Sequence, residues 1–166
     1  MKIGTILHPT DFSRNSESAF HMACALARDY GARLVLLHVK PLLTVAYGEF
    51  GALPPEASDH LEELKERLAR LQPADAGIPV DRYVVEGEIA WEILRLAGEL
   101  KVDLIVMGTH GRSGLGRLLM GSVAEQVVRK AACPVLTIKV PLPIALASVT
   151  AIPDQDAEPW PASSPR

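Results

Sequence analysis

Glycines and arginines are concentrated in one short stretch of an otherwise aliphatic chain. The segment VMGTHGRSGLGR (106–117) holds four glycines and two arginines, and Gly121 and Ser122 follow it closely. Glycines let a backbone approach a ligand, and the N–H groups that open a helix attract phosphate. The side chains of Arg112 and Arg117 would add charge-assisted hydrogen bonds to phosphate oxygens. The stretch is therefore a candidate anion-binding loop.

Two familiar phosphate motifs do not account for this loop. Gly111-x-x-x-x-Gly116-Arg117-Leu118 resembles a P-loop, but arginine replaces its lysine and leucine replaces the magnesium-binding Ser or Thr. The dinucleotide fingerprint G-x-G-x-x-G is missing after the first predicted strand, where the sequence HPTDFS contains no glycine. An anion in this loop would have to be held in another way.

The elements that must position the loop alternate along the chain. Short apolar runs predict buried strands over 2–8, 33–39, 79–87, 102–108 and 133–140. Apolar residues recur at helical spacing between them, over 19–30, 61–71, 89–100 and 120–127. Strands that are apolar throughout, alternating with helices, are typical of a parallel sheet covered on both faces. We therefore expect an α/β fold with a doubly wound five-stranded parallel sheet.

In such a sheet, ligands bind at the carboxyl ends of the strands. Gly108 ends the fourth predicted strand, which places the glycine loop at that edge. Asp11 follows the first strand and is either a ligand-facing carboxylate or a helix N-cap. Ser122 has the same two interpretations, a phosphate contact or a cap. His8 and His38 lie in apolar strands, which favours core histidines over ligands.

Composition limits the remaining function classes. The chain has 166 residues and a net charge of −3, which predicts one domain and gives no basic patch for nucleic acid. Cys24 and Cys133 are far apart, so we expect buried thiols rather than a metal or redox site. No signal peptide or membrane span is recognisable, so a cytoplasmic protein is expected. We predict a domain over 1–140 and a proline-rich, partly flexible tail over 141–166.

The spacing of the glycines resembles that of a known family. Gly108 and Gly111 are separated by two residues, and nine more precede Gly121-Ser122, which gives the pattern G-2x-G-9x-G-[S/T] of the universal stress proteins. The resemblance extends over about residues 1–140 and includes ILHPTDFS, LLHV and VVEGEIAWEIL. It implies a flavodoxin- or Rossmann-like sheet in the order 3-2-1-4-5. It also implies the branch of the family that binds ATP.

The resemblance further assigns roles to residues of this chain. It places the nucleoside near the ends of the first, second and fourth strands and the triphosphate in the glycine loop. The residues implied are Pro9, Thr10, Asp11, Val39, Met107, Gly108, Gly111, Arg112, Gly121, Ser122 and Val123. Ala124 stands where binding members often have threonine, so one hydroxyl is missing. The expected ligand is ATP, with or without Mg²⁺, and no metal-binding residue is implied.

Three functions remain open at this point. The first is an ATP-binding regulatory protein of the stress response that dimerises through the fifth strand (133–140). The second is a nucleotide-free interaction module that works through the same dimer surface. The third is a slow ATP hydrolase, for which the sequence offers no recognisable general base; phosphoryl transfer generally requires metal and water-positioning groups.

Overall fold

The structure, a computed structural model, describes residues 2–42, 59–109 and 120–139. These residues contain five strands and four helices. The strands are β1 (Thr5–Pro9), β2 (Arg33–Pro41), β3 (Val80–Gly87), β4 (Leu104–Gly108) and β5 (Val135–Ile138). The helices are α1 (Arg14–Tyr30), α2 (Asp59–Ala69), α3 (Ile89–Glu99) and α4 (Ser122–Lys130). The expected alternation of strand and helix is confirmed.

The five strands form one parallel sheet in the order β3-β2-β1-β4-β5. Ile6 is level with Leu34 of β2 on one side and with Leu104 of β4 on the other. The chain therefore winds outward first in one direction and then in the other, starting from β1. This is the doubly wound architecture that the sequence pattern predicted, in the strand order that the family resemblance implied.

Side chains alternate between two aliphatic cores because successive strand residues point to opposite faces. Along β2, Leu34 and Leu36 belong to the core beneath α1 and α2. Val35, Leu37 and Val39 belong to the core beneath α3 and α4. Covering both faces explains why the strands are continuously apolar in the sequence.

Helix α1 shows how local signals set an element's limits. The Ser13 side chain caps its N-terminus, and Gly31 ends it in the left-handed conformation at φ 61°. The Gly31 N–H donates to the carbonyls of Ala27 and Arg28, as expected of a C-terminal glycine. Ala23 is fully buried, whereas Tyr30 is 52% exposed. The predicted apolar stripe therefore holds except at Tyr30, which is the last residue of the helix.

Several boundaries differ from the sequence prediction. The first strand begins at Thr5 rather than residue 2, and the fourth begins at Leu104 rather than residue 102. Val102 is buried but precedes the strand, so its apolar character reflects core packing rather than sheet pairing. The fifth strand is restricted to four residues, Val135–Ile138.

Both cysteines lie within the described residues. Cys24 and Cys133 are free and half-buried rather than fully buried. Burial raises the pKa of the Cys24 thiol to about 11, so it stays protonated at neutral pH.

No helix in the described ranges has the length and apolar character needed to cross a bilayer. The predicted tail over 141–166 lies outside the described residues.

Candidate functional site

A cleft of about 370 Å³ opens at the carboxyl edge of the sheet. Its walls come from the ends of β1, β2 and β4 and from the first turns of α1, α3 and α4. The winding direction reverses between β1 and β4, which is where ligands bind in doubly wound sheets. The volume falls in the ~300–1,000 Å³ range of small-molecule sites. Position and size both identify the cleft as the candidate site.

Nine of the eleven residues predicted for the site line this cleft. They are Pro9, Thr10, Asp11, Val39, Met107, Gly108, Gly121, Ser122 and Val123. The other two, Gly111 and Arg112, lie outside the described residues, as does His110. Residues that are more than 100 positions apart in the chain are thus brought to one cavity.

The cleft also includes residues that the sequence prediction missed. They are Ser16, Leu37, His38, Pro41, Ile89, Ile93, Thr109 and Ala124. Most are apolar and give the cleft a non-polar wall, in which Ile93 and Ala124 are nearly fully buried. Their signal in the sequence was their place at the end of a strand or the start of a helix. Apolar character alone had assigned Ile89 and Ile93 to the core stripe of a helix.

The turn between β1 and α1 determines how Asp11 is used. The Ser13 N–H donates to Asp11 Oδ1 at 3.0 Å, and the Ser13 hydroxyl oxygen accepts from the Ser16 N–H at 3.3 Å. The helix N-cap is therefore Ser13, and the alternative that Asp11 is the cap is wrong. Asp11 instead folds the turn that precedes the cap while lining the cleft.

Within the described ranges, no side chain caps the start of α4. Gly121 is the N-cap and has no side chain to accept a hydrogen bond, so the suggestion that Ser122 caps the helix is wrong. Ser122 is the first helical residue, and its side chain is exposed. Glu125 is the first residue whose N–H bonds back into the helix, at 2.9 Å from the Gly121 carbonyl oxygen. The preceding N–H groups therefore have no intrahelical acceptor, and their residues line the cleft.

Backbone hydrogen bonds tie the start of α4 to the end of the sheet. The Thr109 N–H donates to the Ile138 carbonyl at 3.0 Å, and the Gly121 N–H donates to the Thr109 carbonyl at 2.7 Å. Gly108 is needed here, because a Cβ at this position would meet the backbone of Asn15 at 3.1 Å. The first turn of α1 thus packs directly against the end of β4.

A buried polar network lies behind the cleft. The Ser16 hydroxyl donates to Thr10 Oγ1 at 2.7 Å and lies 3.5 Å from His8 Nε2. The His8 Nδ1–H donates to the Val106 carbonyl at 2.9 Å. Burial lowers the pKa of His8 to about 4, against smaller opposing effects of the Val106 hydrogen bond and Asp11. His8 is therefore a neutral core histidine at physiological pH.

His38 is buried and also lines the cleft. Its Nδ1–H donates to the Thr10 carbonyl at 2.7 Å, and the residue is only 7% exposed. The expectation of a hydrogen-bonded core histidine is therefore confirmed. The residue also lines the cleft, which the sequence did not indicate.

Acidic groups are scarce around the cleft. Among the described residues that line it, Asp11 is the only carboxylate. The described ranges contain no group of three or more His, Cys, Asp or Glu side chains that could hold a metal. Glu88 does not line the cleft; its side chain accepts from the N–H groups of Ala90 and Trp91 and caps α3.

Taken together, these features define a class of protein. The chain is a flavodoxin-like α/β domain, with a ligand-sized cleft at the switch point of its sheet. One side of the cleft is apolar, and the other is the open N-terminus of a helix. A profile of the universal stress protein family matches residues 2–139, and the chain belongs to this family.

Sequence relatives and solved structures agree with this assignment. Universal stress protein MJ0531 of Methanocaldococcus jannaschii is 38% identical over 82% of this chain and 82% of its own length. The solved structure of protein MJ0577, from the same organism, superposes with a TM-score of 0.72 at 32% identity. That superposition covers 86% of this chain and 99% of MJ0577.

Two further structural neighbours were solved with nucleotides. A universal stress protein from Archaeoglobus fulgidus in complex with dAMP has a TM-score of 0.61 at 25% identity, covering 84% of this chain and 100% of its own. Another universal stress protein, in complex with cAMP, has a TM-score of 0.57 at 26% identity, covering 84% of this chain and 98% of its own. Adenine nucleotides are thus ligands of domains with this fold.

Proposed function

We propose that this protein binds an adenine nucleotide, ATP in the first instance, in the cleft and acts as a regulatory protein of the stress response. The observation that carries the proposal is the convergence of nine predicted residues on one cleft beside an uncapped helix N-terminus. The dAMP and cAMP complexes of structural neighbours support the same ligand class.

The two sides of the cleft suit the two ends of a nucleotide. The apolar wall around Val39, Ile93 and Met107 suits a purine ring, and Asp11 offers carboxylate oxygens to the ribose hydroxyls. The open N–H groups at Ser122 and Val123, with the positive end of the α4 dipole, suit phosphate oxygens. The family resemblance assigns Gly111 and Arg112 to the same phosphates.

The proposal is one of binding and not of rapid turnover. Phosphoryl transfer generally requires metal and water-positioning groups, and Asp11 is the only carboxylate among the described cleft residues. Mg²⁺ usually keeps several waters and uses one or two carboxylates together with substrate phosphates. The described donors fit a Mg²⁺ that arrives with ATP and do not fit a metal held by protein ligands alone.

Isothermal titration with ATP, ADP and AMP tests the proposal. Ser122→Glu places a carboxylate where the phosphates are expected; the change favours the helix itself, because negative charge stabilises a helix N-terminus. We expect at least a tenfold loss of affinity, on the order of 1.4 kcal/mol or more. Gln126→Glu adds the same charge one turn later, outside the cleft, and should bind as the parent does. Absence of binding heat from the parent with all three nucleotides would refute the proposal.

We also propose that the protein forms a homodimer through its fifth strand, which the sequence predicted over 133–140. β5 lies at the edge of the sheet, and its four residues are only half-buried. An open edge of this kind invites a partner strand. Light scattering during size-exclusion chromatography should give twice the chain mass of 17.9 kDa. A monomer at every concentration would exclude the dimer.

We also propose the cytoplasm as the compartment of the protein, which agrees with an adenine nucleotide as the ligand.

A further inference from the structure

Phe12 adopts a backbone conformation that is unusual for its residue type. Its φ is 61°, in the left-handed region that bulky residues rarely occupy. It lies in the turn between β1 and α1, one residue after Asp11. Residues held in such conformations persist only where the surroundings stabilise them. The contacts of Phe12 show what stabilises it here.

The Phe12 ring contacts two side chains from other elements. The His38 ring lies with its centroid 4.6 Å from that of Phe12, and the two planes are inclined at 32°. The Arg67 guanidinium carbon lies 4.4 Å from the Phe12 ring centroid, a cation–π contact. Arg67 belongs to α2 and does not line the cleft. The stack of Arg67, Phe12 and His38 therefore joins α2 to the turn.

The same turn carries the polar residues that face the cleft. The Phe12 N–H donates to Thr10 Oγ1 at 3.1 Å, and the next N–H, of Ser13, donates to Asp11 Oδ1 at 3.0 Å. The His38 Nδ1–H donates to the Thr10 carbonyl at 2.7 Å. All three bonds involve residues 10–13, the turn in which Phe12 adopts its left-handed conformation.

We infer that Phe12 and Arg67 are positioning residues, which fix Thr10 and Asp11 at the wall of the cleft without touching a ligand. The part of this inference that concerns affinity rests on the proposed nucleotide binding; the part that concerns the turn does not. A substitution of Arg67 in α2 should therefore change the stability of the turn that carries Thr10 and Asp11, and with it the affinity of the cleft.

Amide hydrogen exchange of the unliganded protein, measured residue by residue, tests the effect on the turn. Arg67→Met removes the cation, and we expect the Phe12 and Ser13 amides to exchange about two- to fivefold faster, the equivalent of an exposed cation–π contact. Arg67→Lys keeps a cation and should restore most of the protection. Arg70→Met is the matched control, because Arg70 pairs with Glu66 instead of an aromatic ring. Core amides such as Leu36 must be unchanged, which separates positioning from general destabilisation.

Phe12→Asn removes the aromatic ring and keeps a side chain that tolerates the left-handed region. Loss of protection in this variant therefore reports the missing ring and not the added backbone freedom of a glycine. We expect its turn amides to exchange faster than those of Arg67→Met. Equal exchange in the parent, Arg67→Met and Arg70→Met would overturn the inference.

Titration of ATP into the same variants tests the effect on affinity. We expect Arg67→Met to weaken binding about two- to fivefold, with Arg67→Lys near the parent and Arg70→Met equal to it. An unchanged affinity in Arg67→Met, when the parent binds, would overturn the inference. Absence of binding by the parent would refute the proposed function alone, and the exchange data would still decide the role of Phe12 and Arg67.

Discussion

Removing the imidazole of His8 should remove the contribution of this residue to the protein's loss of stability in mild acid. His8 is fully buried, and its pKa is lowered from the ordinary value of 6.5 to about 4, chiefly by burial. The unfolded chain takes up a proton as the pH falls through 6.5, whereas the native protein does not until about pH 4. The free energy of unfolding therefore decreases as the pH is lowered from 6.5 to about 4. Above pH 6.5, His8 is neutral in both states and does not change it.

The size of the effect follows from the two pKa values. Each pKa unit corresponds to ~1.4 kcal/mol, so the full difference is worth about 3 kcal/mol, of which about 2 kcal/mol is lost between pH 7 and pH 4.5. This is a large share of a typical folding free energy of ~5–15 kcal/mol. His8→Asn keeps an N–H donor near the Val106 carbonyl but cannot titrate. It should be less stable at pH 7, because a smaller side chain leaves a cavity, yet it should lose about 2 kcal/mol less than the parent between pH 7 and pH 4.5.

Urea unfolding followed by circular dichroism at several pH values between 4.5 and 7.5 provides the measurement. Circular dichroism is preferable to tryptophan fluorescence because Trp91 is already 57% exposed in the native protein. His21→Asn, at an exposed position, is the matched control and should keep the parent's dependence on pH. If His8→Asn loses stability towards acid as steeply as the parent, then His8 is not the group responsible and the reasoning from burial is wrong.

Three further predictions concern single positions in the fold. Gly108→Ala should destabilise the protein by ~1–3 kcal/mol in chemical denaturation, because its Cβ would meet the Asn15 backbone at 3.1 Å. Gly98→Ala is its control in open space within α3 and should instead stabilise by ~0.5–1 kcal/mol. Gly31→Ala should lower the free energy of unfolding by ~1 kcal/mol because φ is 61° at this helix end. Asp103→Asn should lower the melting temperature at pH 7, since hydrogen bonds from the Gly4 and Thr5 N–H groups hold the pKa of this carboxyl below its usual range. That stabilisation is complete above the unfolded pKa and is lost as the pH falls through the folded one, so the two melting temperatures should converge in strong acid.

Much of the fold could be predicted because the relevant signals are local. Apolar runs that alternate with helical stripes were enough to predict five strands and four helices in the correct order along the chain. The strand order itself came from the family resemblance and not from periodicity. Boundaries were less accurate, as Val102 shows, because burial and sheet pairing leave the same apolar signature in a sequence.

The candidate site could be predicted only in part. Asp11 and Gly108 were predictable because Asp11 follows the first predicted strand and Gly108 ends the fourth, and parallel strands bring those ends together. Pro9 came from the family resemblance. Ile89 and Ile93 were not, since an apolar residue at a helix start looks the same whether it faces a core or a cleft. The choice of Ser13 over Asp11 as N-cap was equally hidden, because both residue types favour that position.

The amino-acid sequence by itself determined the alternation of elements, the aliphatic cores on both faces and the glycine–serine spacing that marks the family. These properties are written in residue types and short-range spacing, which need no knowledge of distant contacts. The tertiary structure alone decided that α4 begins without a side-chain cap beside the cleft and that Arg67 stacks on Phe12. Such contacts join residues from separate elements, and their geometry depends on how helices and strands pack in three dimensions.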